Sequence, residues 1–313
     1  MIAKESGEFA ALAEPFRREL LAHCYRMLGG ADEAEDLVQE TYLRAWRAYE
    51  GFEGRSSLRV WLYRIATNVC LTALEHRNRR ALPSGLGAPE TDPDAPSNPA
   101  DPGSEWLQPL PDSDPATIVT TREDVRLALV AGLQYLPARQ RAILILREVL
   151  GFPAAEVAEM LGTSVPAVKS SLQRARASLG QVTPEKATVP RARELLDLYI
   201  AGFENADMAA LEQALRTDAA IEMVGTRTWF EGRDTCLRYL RHAVGSPGDW
   251  RMIPATANGQ PAGAAYVRDS DGVHRAFGLG VLTVTEAGIA RILVFGGGPD
   301  LLAKFGLPGT SEG

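Results

Sequence analysis

One short segment near residue 170 carries hydrogen-bonding side chains in a helical pattern. Its apolar residues have the spacing of one narrow buried stripe on a helix: Val165, Val168, Leu172, Ala175 and Leu179. The outward positions hold Lys169, Ser170, Gln173 and Arg174. Lys and Arg can pair with guanine edges and Gln with adenine edges in the major groove of DNA. The segment therefore predicts a helix whose outer face is suited to reading base pairs.

The residues before this segment predict its partner in a helix-turn-helix. "PAAEVAEMLG" reads as a short helix with Pro153 in its first turn, and Ser164 is the expected N-cap of the next helix. A small residue at Ala158 lets two helices approach, and Gly162 suits the turn between them. Val168 then packs the second helix on the first. Residues 118–180 as a whole read as helices, the first of which ends at Pro137.

Residues 8–80 also read as helices. The first stops at Gly29 and Gly30, and the spacing of Asp32 and Glu35 predicts a capping box for a second helix that runs to about Tyr49. On this second helix one face is shared by Asp36, Glu40, Leu43 and Arg47. The glycine-flanked loop "GFEGRSS" (51–57) follows, then a longer helix that ends in the basic stretch "EHRNRR" (75–80).

Residues 81–117 predict a linker without regular structure. They contain nine prolines and seven acidic residues but no Lys or Arg, and extended they would span ~120 Å. The whole chain has a formal net charge of −7, so the rest of the chain is about neutral. Local basic surfaces therefore remain possible, and the overall charge does not exclude nucleic acid. An apolar island, "WLQPLPD" (106–112), is expected to dock elsewhere on the protein.

The bulk composition is that of a globular chain with more than one domain. The 313 residues include three widely spaced cysteines, which favours a reducing cytoplasm, and no signal-peptide pattern or membrane-length apolar run is present. We expect no metal site, no cofactor and no membrane partner.

Residues 190–305 predict an α+β domain. Two helices (about 190–204 and 207–215) come first, and then five segments with strand character are interrupted by one helix at about 234–244. The fold class expected for the chain is therefore multidomain, with two all-α modules and a C-terminal α+β domain with a curved sheet.

Taken together, residues 8–180 resemble an extracytoplasmic-function (ECF) sigma factor of the sigma-70 family. "DEAEDLVQETYLRAWRAYEGF" resembles the second conserved region, and "LRVWLYRIATNVCLTALEHRNRR" resembles the helix that follows it. "LPARQRAILILREVLGFPAAEVAEMLGTSVPAVKSSLQRARASL" resembles the fourth. The resemblance implies a promoter-specificity subunit of bacterial RNA polymerase, with core polymerase and promoter DNA as partners.

The same resemblance implies roles for individual residues in the second region, 8–80. Asp36, Gln39 and Glu40 match positions that hold the clamp helices of the largest polymerase subunit; a capped, solvated helix is the alternative. A further set matches the part that opens the minus-10 element and neutralises phosphates: Phe52, Arg55, Ser56, Ser57, Arg59, Trp61, Arg64, Asn68, Arg77, Arg79 and Arg80. Core packing is an equal alternative for Trp61.

In the fourth region, 118–180, the resemblance gives the outer face of the predicted recognition helix a role at the minus-35 element. The matching residues are Lys169, Ser170, Gln173 and Arg174, with Arg176 expected on phosphate. Many relatives carry Arg where Ser171 stands, which leaves the promoter sequence open.

The C-terminal residues 190–305 resemble a cone-shaped SnoaL-like domain, which implies regulation of the sigma factor by a fused module. Trp106 and Leu107 of the island are the expected anchor between this module and residues 8–180. Four aromatic residues are candidates to line a pocket for a small-molecule ligand, with core packing as the alternative: Trp229, Tyr239, Trp250 and Phe277.

Two other functions are compatible with the sequence. Some SnoaL-like proteins are enzymes, and an acid and a base that face each other across the cone would favour catalysis by this domain. The candidates for such a pair are Glu222, Asp234, His242 and His274. A plain helix-turn-helix regulator is the second rival, but it would have no need of residues 32–80. We expect no catalytic residue.

Overall fold

The protein forms two compact units in this computed structural model, which describes residues 9–75, 77–112, 126–179 and 189–311. The first, the helical unit, combines residues 9–80 with residues 126–179. The second, the C-terminal unit, combines residues 81–112 with residues 189–311. The multidomain fold predicted from the sequence, helical first and α+β last, is confirmed.

The first helical module, residues 9–80, is built on three helices: α1 (Arg17–Leu28), α2 (Ala31–Ala48) and α3 (Leu58–Leu74). Gly29 ends α1 in the left-handed conformation with φ of 74°, as the sequence predicts, because only glycine adopts this conformation without strain. Ser57 caps α3 by accepting a hydrogen bond from the Val60 amide at 3.2 Å.

The predicted capping box at Asp32 and Glu35 is wrong. Gly30 is the N-cap of α2 and makes no side-chain cap, so the helix starts two residues earlier than the box requires. The left-handed Gly29 turns the chain so sharply that the next residue already takes the cap position. Asp32 and Glu33 lie instead in the first turn, where acidic side chains favour the positive end of the helix dipole.

The second helical module, residues 126–179, contains α4 (Leu127–Leu133), α5 (Ala138–Leu144), α6 (Ala154–Met160) and α7 (Val165–Leu179). The predicted helix after Pro137 is present but changes to a π-helical turn at Ile145–Val149. Gly162 has a φ of 57° and makes the turn between α6 and α7, and Ala158 and Val168 are buried. The predicted helix-turn-helix is therefore observed.

The two helical modules pack against each other within the helical unit. Helix α1 contacts α4 and α5, and helix α3 contacts α5 and α6. Their core side chains include Leu20, Leu62, Leu127 and Leu133, none of which has any exposed surface.

The C-terminal unit contains a curved sheet of β1 (Leu215–Val224), β2 (Trp229–Glu231), β3 (Trp250–Ala257), β4 (Gln260–Arg268), β5 (His274–Thr285), β6 (Gly288–Gly296) and β7 (Thr310–Ser311). The strand order is β2-β1-β6-β5-β4-β3, with β7 added to β5. Strands β1 and β6 are parallel, and the other pairs are antiparallel.

Helices cover one face of this sheet: α8 (Val189–Glu204), α9 (Met208–Ala214) and α10 (Arg233–Ala243). Tyr199 and Phe203 from α8 join Ile221 and Ile292 of the sheet in one hydrophobic cluster. Because side chains alternate along a strand, Glu222 of β1 points to the opposite face. The predicted helices and five predicted strands are observed, while β2, β7 and the short helix α11 (Gly298–Lys304) were missed.

Residues 81–112 form a segment that we call the strap. It contains one 3₁₀ turn, Pro83–Gly85, and is otherwise irregular, as its prolines predict. The sequence favours a long linker, but the strap belongs to the same compact unit as the C-terminal domain. Residues 113–117 of the predicted linker lie outside the described residues.

Candidate nucleic-acid interface

The outer face of α7 has the arrangement predicted from the sequence. Ser164 caps the helix by accepting a hydrogen bond from the Ala167 amide at 3.3 Å. Val168, Leu172 and Ala175 are buried, and Val165 and Leu179 are half-buried at the two ends of the stripe. The opposite face exposes Lys169, Ser170, Gln173 and Arg174. The narrow stripe is thus sufficient to hold the helix while its polar face stays accessible.

Arg174 and Arg176 differ in their contacts although both are exposed. The Arg174 guanidinium donates to the hydroxyls of Ser170 and Ser171, at 2.9 and 3.0 Å, along its own helix. Arg176 forms an ion pair of 2.7 Å with Glu148, which lies in the π-helical turn. Exposed contacts of both kinds are weak and exchange with water or another ligand. Arg174 therefore lies on the predicted reading face, and Arg176 lies beside it.

The loop before α3 and the exposed side of α3 form a second polar surface. Arg64 and Asn68 are exposed four residues apart on the same side of the helix, and Ser56 is half-buried in the loop. Arg55 is exposed and forms an ion pair of 2.5 Å with Glu53. These side chains are accessible to a ligand.

Trp61 is mainly a core residue. It is buried, and its ring lies 4.9 Å from the ring of half-buried Phe52 and 6.5 Å from that of Tyr49. Trp61 thus packs against Phe52 from the core side. Phe52 is the partly exposed aromatic side chain of the loop.

Three arginines of the predicted minus-10 set are engaged inside the helical unit. Arg59 donates twice to the Glu19 carboxylate, at 2.8 and 3.0 Å, and its guanidinium carbon lies 4.6 Å from the centre of the Phe152 ring. Arg80 is only 8% exposed and pairs with Glu33. Arg79 is exposed and lies over the Tyr135 ring at 4.1 Å.

Arg77 shares the Glu33 carboxylate with Arg80, at a distance of 3.3 Å. Its side chain is more exposed than that of Arg80. The basic stretch at residues 77–80 is therefore partly neutralised by an acidic residue of α2.

The exposed face of α2 combines acidic and apolar side chains. Asp36 and Gln39 are exposed, and half-buried Glu40 pairs with Arg44 at 2.6 Å. One turn further on, Leu43 is 48% exposed and Trp46 is 42% exposed. Large apolar groups beside charges are typical of a protein-binding surface. Trp46 was missed in the sequence, although its spacing from Leu43 places it on the same face.

The strap is anchored to the C-terminal domain at the turn Pro83–Gly85. The Glu222 carboxylate, which has no exposed surface, accepts a hydrogen bond from the Ser84 amide at 2.8 Å and pairs with Arg291 of β6. Arg291 also donates to the Ser84 hydroxyl at 3.2 Å. A buried charge is costly unless it is paired and hydrogen-bonded, so this contact strongly favours the docked strap.

A second group of contacts continues along the strap to β2. The Trp229 indole donates to the carbonyl oxygen of Gly87 at 3.0 Å, and the Trp229 carbonyl accepts from the Glu90 amide at 2.8 Å. The Thr228 hydroxyl accepts from the Asn98 amide at 2.7 Å. This part of the strap therefore runs beside β2, the strand at one edge of the sheet.

The apolar island docks at the other end of the strap. Leu107 is 1% exposed and Leu110 is buried, whereas Trp106 is half-buried. Asn258 and Leu110 exchange two hydrogen bonds, of 2.8 and 2.9 Å, in the turn between β3 and β4. The island thus docks on the C-terminal domain, with Leu107 more deeply buried than Trp106, and its role as an anchor to residues 8–180 stays a prediction.

The four candidate pocket residues all make packing or hydrogen-bonding contacts, and a shared pocket stays a prediction. Trp229 is buried and bonded to the strap, and Tyr239 stacks on Phe230 with ring centres 4.7 Å apart. Trp250 donates to the Ala243 carbonyl and contacts Phe277, whose side chain is exposed. Burial raises the pKa of Tyr239, as expected for a packing residue.

Three of the four candidate acid–base groups have partners outside any acid–base pair. Glu222 pairs with Arg291, and His242 contacts Asp94 of the strap at 2.9 Å. His274 contacts the Gly248 carbonyl at 3.0 Å, and Asp234 is exposed in the first turn of α10. Within the described residues no cluster of potential metal ligands is present, and none of the helices there has the length and apolar character to cross a membrane.

Comparisons with known proteins agree with this arrangement. Residues 12–80 match the family described as Sigma-70 region 2, and residues 126–179 match Sigma-70, region 4. The chain is 50% identical over 315 residues to the ECF RNA polymerase sigma factor SigG of Mycobacterium tuberculosis, covering 96% of this chain and 84% of that protein. It is 30% identical over 220 residues to SigJ of the same organism, covering 68% of this chain and 63% of SigJ.

A solved structure extends the likeness to the fold of nearly the whole chain. The crystal structure of Mycobacterium tuberculosis SigJ superposes with a TM-score of 0.64 at 22% identity, covering 94% of this chain and 98% of that one. Two helical sigma-70 modules joined to an α+β domain define a non-catalytic, promoter-specificity type of protein. The chain belongs to the extracytoplasmic-function sigma factors of the sigma-70 family.

The Glu222 anchor yields a first prediction. Glu222→Ala leaves the Arg291 charge and the Ser84 amide without their acceptor, at a cost of about 3 kcal/mol. Amide hydrogen exchange at Ser84 and its neighbours in the strap should become roughly a hundredfold faster. Asp218→Ala is the matched control, because it removes an exposed pair with Arg216 on the same strand and should leave strap exchange unchanged. Equal exchange in both variants would contradict the anchor.

Proposed function

We propose a division of labour for this sigma factor. Residues 8–80 bind core polymerase and open the minus-10 element, and residues 118–180 read the minus-35 element. The C-terminal SnoaL-like domain, residues 190–305, modulates both through the strap. The observation that carries the proposal is the exposed reading face of α7 on a helix-turn-helix. Like core polymerase, its partner, the protein acts in the cytoplasm.

Reading of the minus-35 element rests on the four side chains that α7 exposes. Lys169 and Arg174 supply donors for guanine edges, and Gln173 supplies the donor and acceptor that pair with adenine. Ser170 holds the Arg174 guanidinium at 2.9 Å and so limits the directions in which it points. Arg176, paired with Glu148, is placed for a phosphate contact.

Substitution of the two arginines separates base reading from phosphate binding. Arg174→Ala should weaken binding at one or two base pairs of the minus-35 element by about 1–3 kcal/mol, while binding to other sequences changes little. Arg176→Ala, the matched control on the same helix, should weaken all sequences alike and reduce the salt dependence of binding. Fluorescence anisotropy with single-base-pair variants measures both, and equal loss on random DNA with Arg174→Ala would reject the assignment.

For the minus-10 element, the accessible members of the predicted set support the proposal best. Phe52 offers a ring for an unstacked base, and nearby polar or basic groups accompany it: Arg55, Ser56, Ser57, Arg64, Asn68, Arg77 and Arg79. Arg59, Trp61 and Arg80 have contacts inside the helical unit, so in this arrangement they support the surface rather than form it.

The α2 face supports binding to core polymerase. Asp36, Gln39 and Glu40 supply the polar part, and Leu43 with Trp46 supplies exposed apolar area at the same face. We propose that the clamp helices of the largest subunit occupy this face. Burial of Trp46 there would contribute much of the binding energy, since tryptophan is enriched among energetically dominant interface residues.

Charge reversal tests this polymerase surface. Asp36→Lys with Glu40→Lys should abolish co-purification with core polymerase, because the acidic side chains would become cations at the interface. Asp197→Lys with Glu212→Lys is the matched control: both residues are exposed in the C-terminal unit, and the change in charge is identical. Binding of the minus-35 duplex should stay normal in both variants. Unchanged co-purification of the Asp36 and Glu40 variant would reject the surface.

The docked strap supports modulation by the C-terminal domain. The strap follows Arg80 directly, so its docking restrains the end of the first helical module. Release of the strap would allow it to extend to a reach of ~110 Å. A ligand could shift this balance only by binding the two arrangements differently. A small-molecule ligand of the C-terminal domain stays a prediction.

Run-off transcription with core polymerase tests both the sigma function and its modulation. The full chain should direct initiation from a promoter with minus-35 and minus-10 elements. Leu107→Ala weakens strap docking by removing a buried side chain, and output at equal polymerase occupancy should rise about two- to tenfold. Pro102→Ala, at an exposed strap position, is the control. Equal transcription output from all three chains would show that strap docking does not modulate the sigma factor. The C-terminal domain would then have no role in transcription or would be an independent enzyme.

A further inference from the structure

The Arg174 guanidinium of α7 is held by two hydroxyls of its own helix. Its Nη1 donates to Ser170 Oγ at 2.9 Å, and its Nη2 donates to Ser171 Oγ at 3.0 Å. Residues three and four positions apart are neighbours on one helix face, which is why both serines lie within reach. Ser170 is exposed, whereas Ser171 is half-buried beside the apolar stripe. Ser171 thus contacts the reading side chain from the edge of the polar face.

These contacts direct the Arg174 side chain toward the start of α7. Side chains on a helix tilt toward its N-terminus, and the two serines precede Arg174 by three and four residues. Four residues of helix rise by roughly 6 Å, so the guanidinium lies about one turn before its own Cα. In a helix-turn-helix, base contacts come from the N-terminal part of the second helix. The serines therefore bring the Arg174 charge to the part of α7 where bases are read.

Arg176, two residues further along α7, is held in a different way. It pairs with the Glu148 carboxylate at 2.7 Å, in the π-helical turn, and not with a hydroxyl of its own helix. A carboxylate neutralises the cation that it holds and competes with DNA for it. A serine hydroxyl is uncharged, so it directs the guanidinium and leaves the positive charge of Arg174 available to DNA.

The contacts with the serines are compatible with base reading at the same time. A guanidinium has five N–H donors, and two of them bind Ser170 and Ser171. Three N–H groups remain, while the guanine edge in the major groove accepts two hydrogen bonds, at O6 and N7. Arg174 is therefore able to bind its helix and one base without exchanging one for the other.

We propose that Ser171, together with Ser170, is a positioning residue that selects the base pair of the minus-35 element that Arg174 reads. A flexible arginine reaches guanines at neighbouring base pairs, and two anchors on its guanidinium favour one of them. Each contact is weak at an exposed site, so the pair affects discrimination between sequences more than total affinity. The positioning role rests on the proposed reading of the minus-35 element by α7 and assigns Ser171 a part in it.

Binding of the full chain to minus-35 duplexes tests the positioning role. Fluorescence anisotropy on every single-base-pair variant gives the preference at each position. Ser171→Ala should lower the preference about three- to tenfold at the base pair that Arg174 reads, as expected for one lost hydrogen bond, and should leave other positions and random DNA unchanged. Alanine favours helix, so α7 should stay folded, which circular dichroism checks. Ser171→Thr keeps a hydroxyl and should restore the preference.

Ser178→Ala is the matched control on the same helix. Ser178 is exposed and lies four residues after Arg174, the same spacing as Ser170 but on the side away from which the arginine side chain points. The chemical change is identical to that in Ser171→Ala. This variant should keep the preference of the parent chain at every base pair.

A double-mutant cycle shows whether Ser171 acts through Arg174. In a chain that already carries Arg174→Ala, the further change Ser171→Ala should alter the preference at no base pair, because the side chain that it positions is gone. An effect of Ser171→Ala that persists in this background would overturn the positioning role. An unchanged preference in the single Ser171→Ala variant, or an equal loss on all duplexes including random DNA, would overturn it too.

The Arg174→Ala chain separates this role from the proposed function. If Arg174→Ala loses its preference at one or two base pairs while Ser171→Ala keeps the parent preference, the positioning role alone is rejected. If Arg174→Ala weakens binding to all sequences alike, base reading by Arg174 is rejected, and the positioning role falls with it.

Discussion

A charge removed from water must be met by hydrogen-bonding partners, and this requirement joins distant segments in both units of the protein. In the C-terminal unit, the Glu222 carboxylate is satisfied only when Arg291 and the Ser84 amide are in place. In the helical unit, the buried Arg141 guanidinium of α5 donates to the carbonyl oxygen of Met27 only when the end of α1 lies against it. The contacts of Glu222 with Ser84 and of Arg141 with Met27 each link residues more than a hundred positions apart, and each makes a particular arrangement of the chain preferable to its alternatives.

The same principle sorts the basic side chains into two groups. Lys169 and Arg174 lie on an exposed helix face, so their interactions in the isolated protein are weak and easily exchanged for DNA. Arg59 and Arg80 are held by acidic partners in less accessible positions. The sequence by itself predicts that all four side chains contact DNA. Burial and partner charge determine which of them are presented in this arrangement.

The C-terminal domain is better explained as a docking scaffold than as a catalyst. Its candidate acid, Glu222, is occupied by the strap, and Trp229, a candidate for a pocket, is bonded to the strap backbone. Both residues lie where the strap crosses, on β1 and β2. Groups that in an enzyme would be free to meet a substrate are here used to hold a segment of the same chain. This arrangement agrees with membership of a family whose function is promoter recognition.

Periodicity and turn residues were sufficient to predict the helices, the helix-turn-helix at Gly162, the exposed polar face around Arg174 and most of the C-terminal strands, because these depend on neighbours close in sequence. The capping box failed because a single residue, Gly30, decided where α2 begins. The docking of the strap on Glu222 and the contact of Arg141 with the end of α1 came only from the tertiary structure. Both depend on pairing of buried polar groups across long sequence separations, and no local pattern records which partner a buried charge will find.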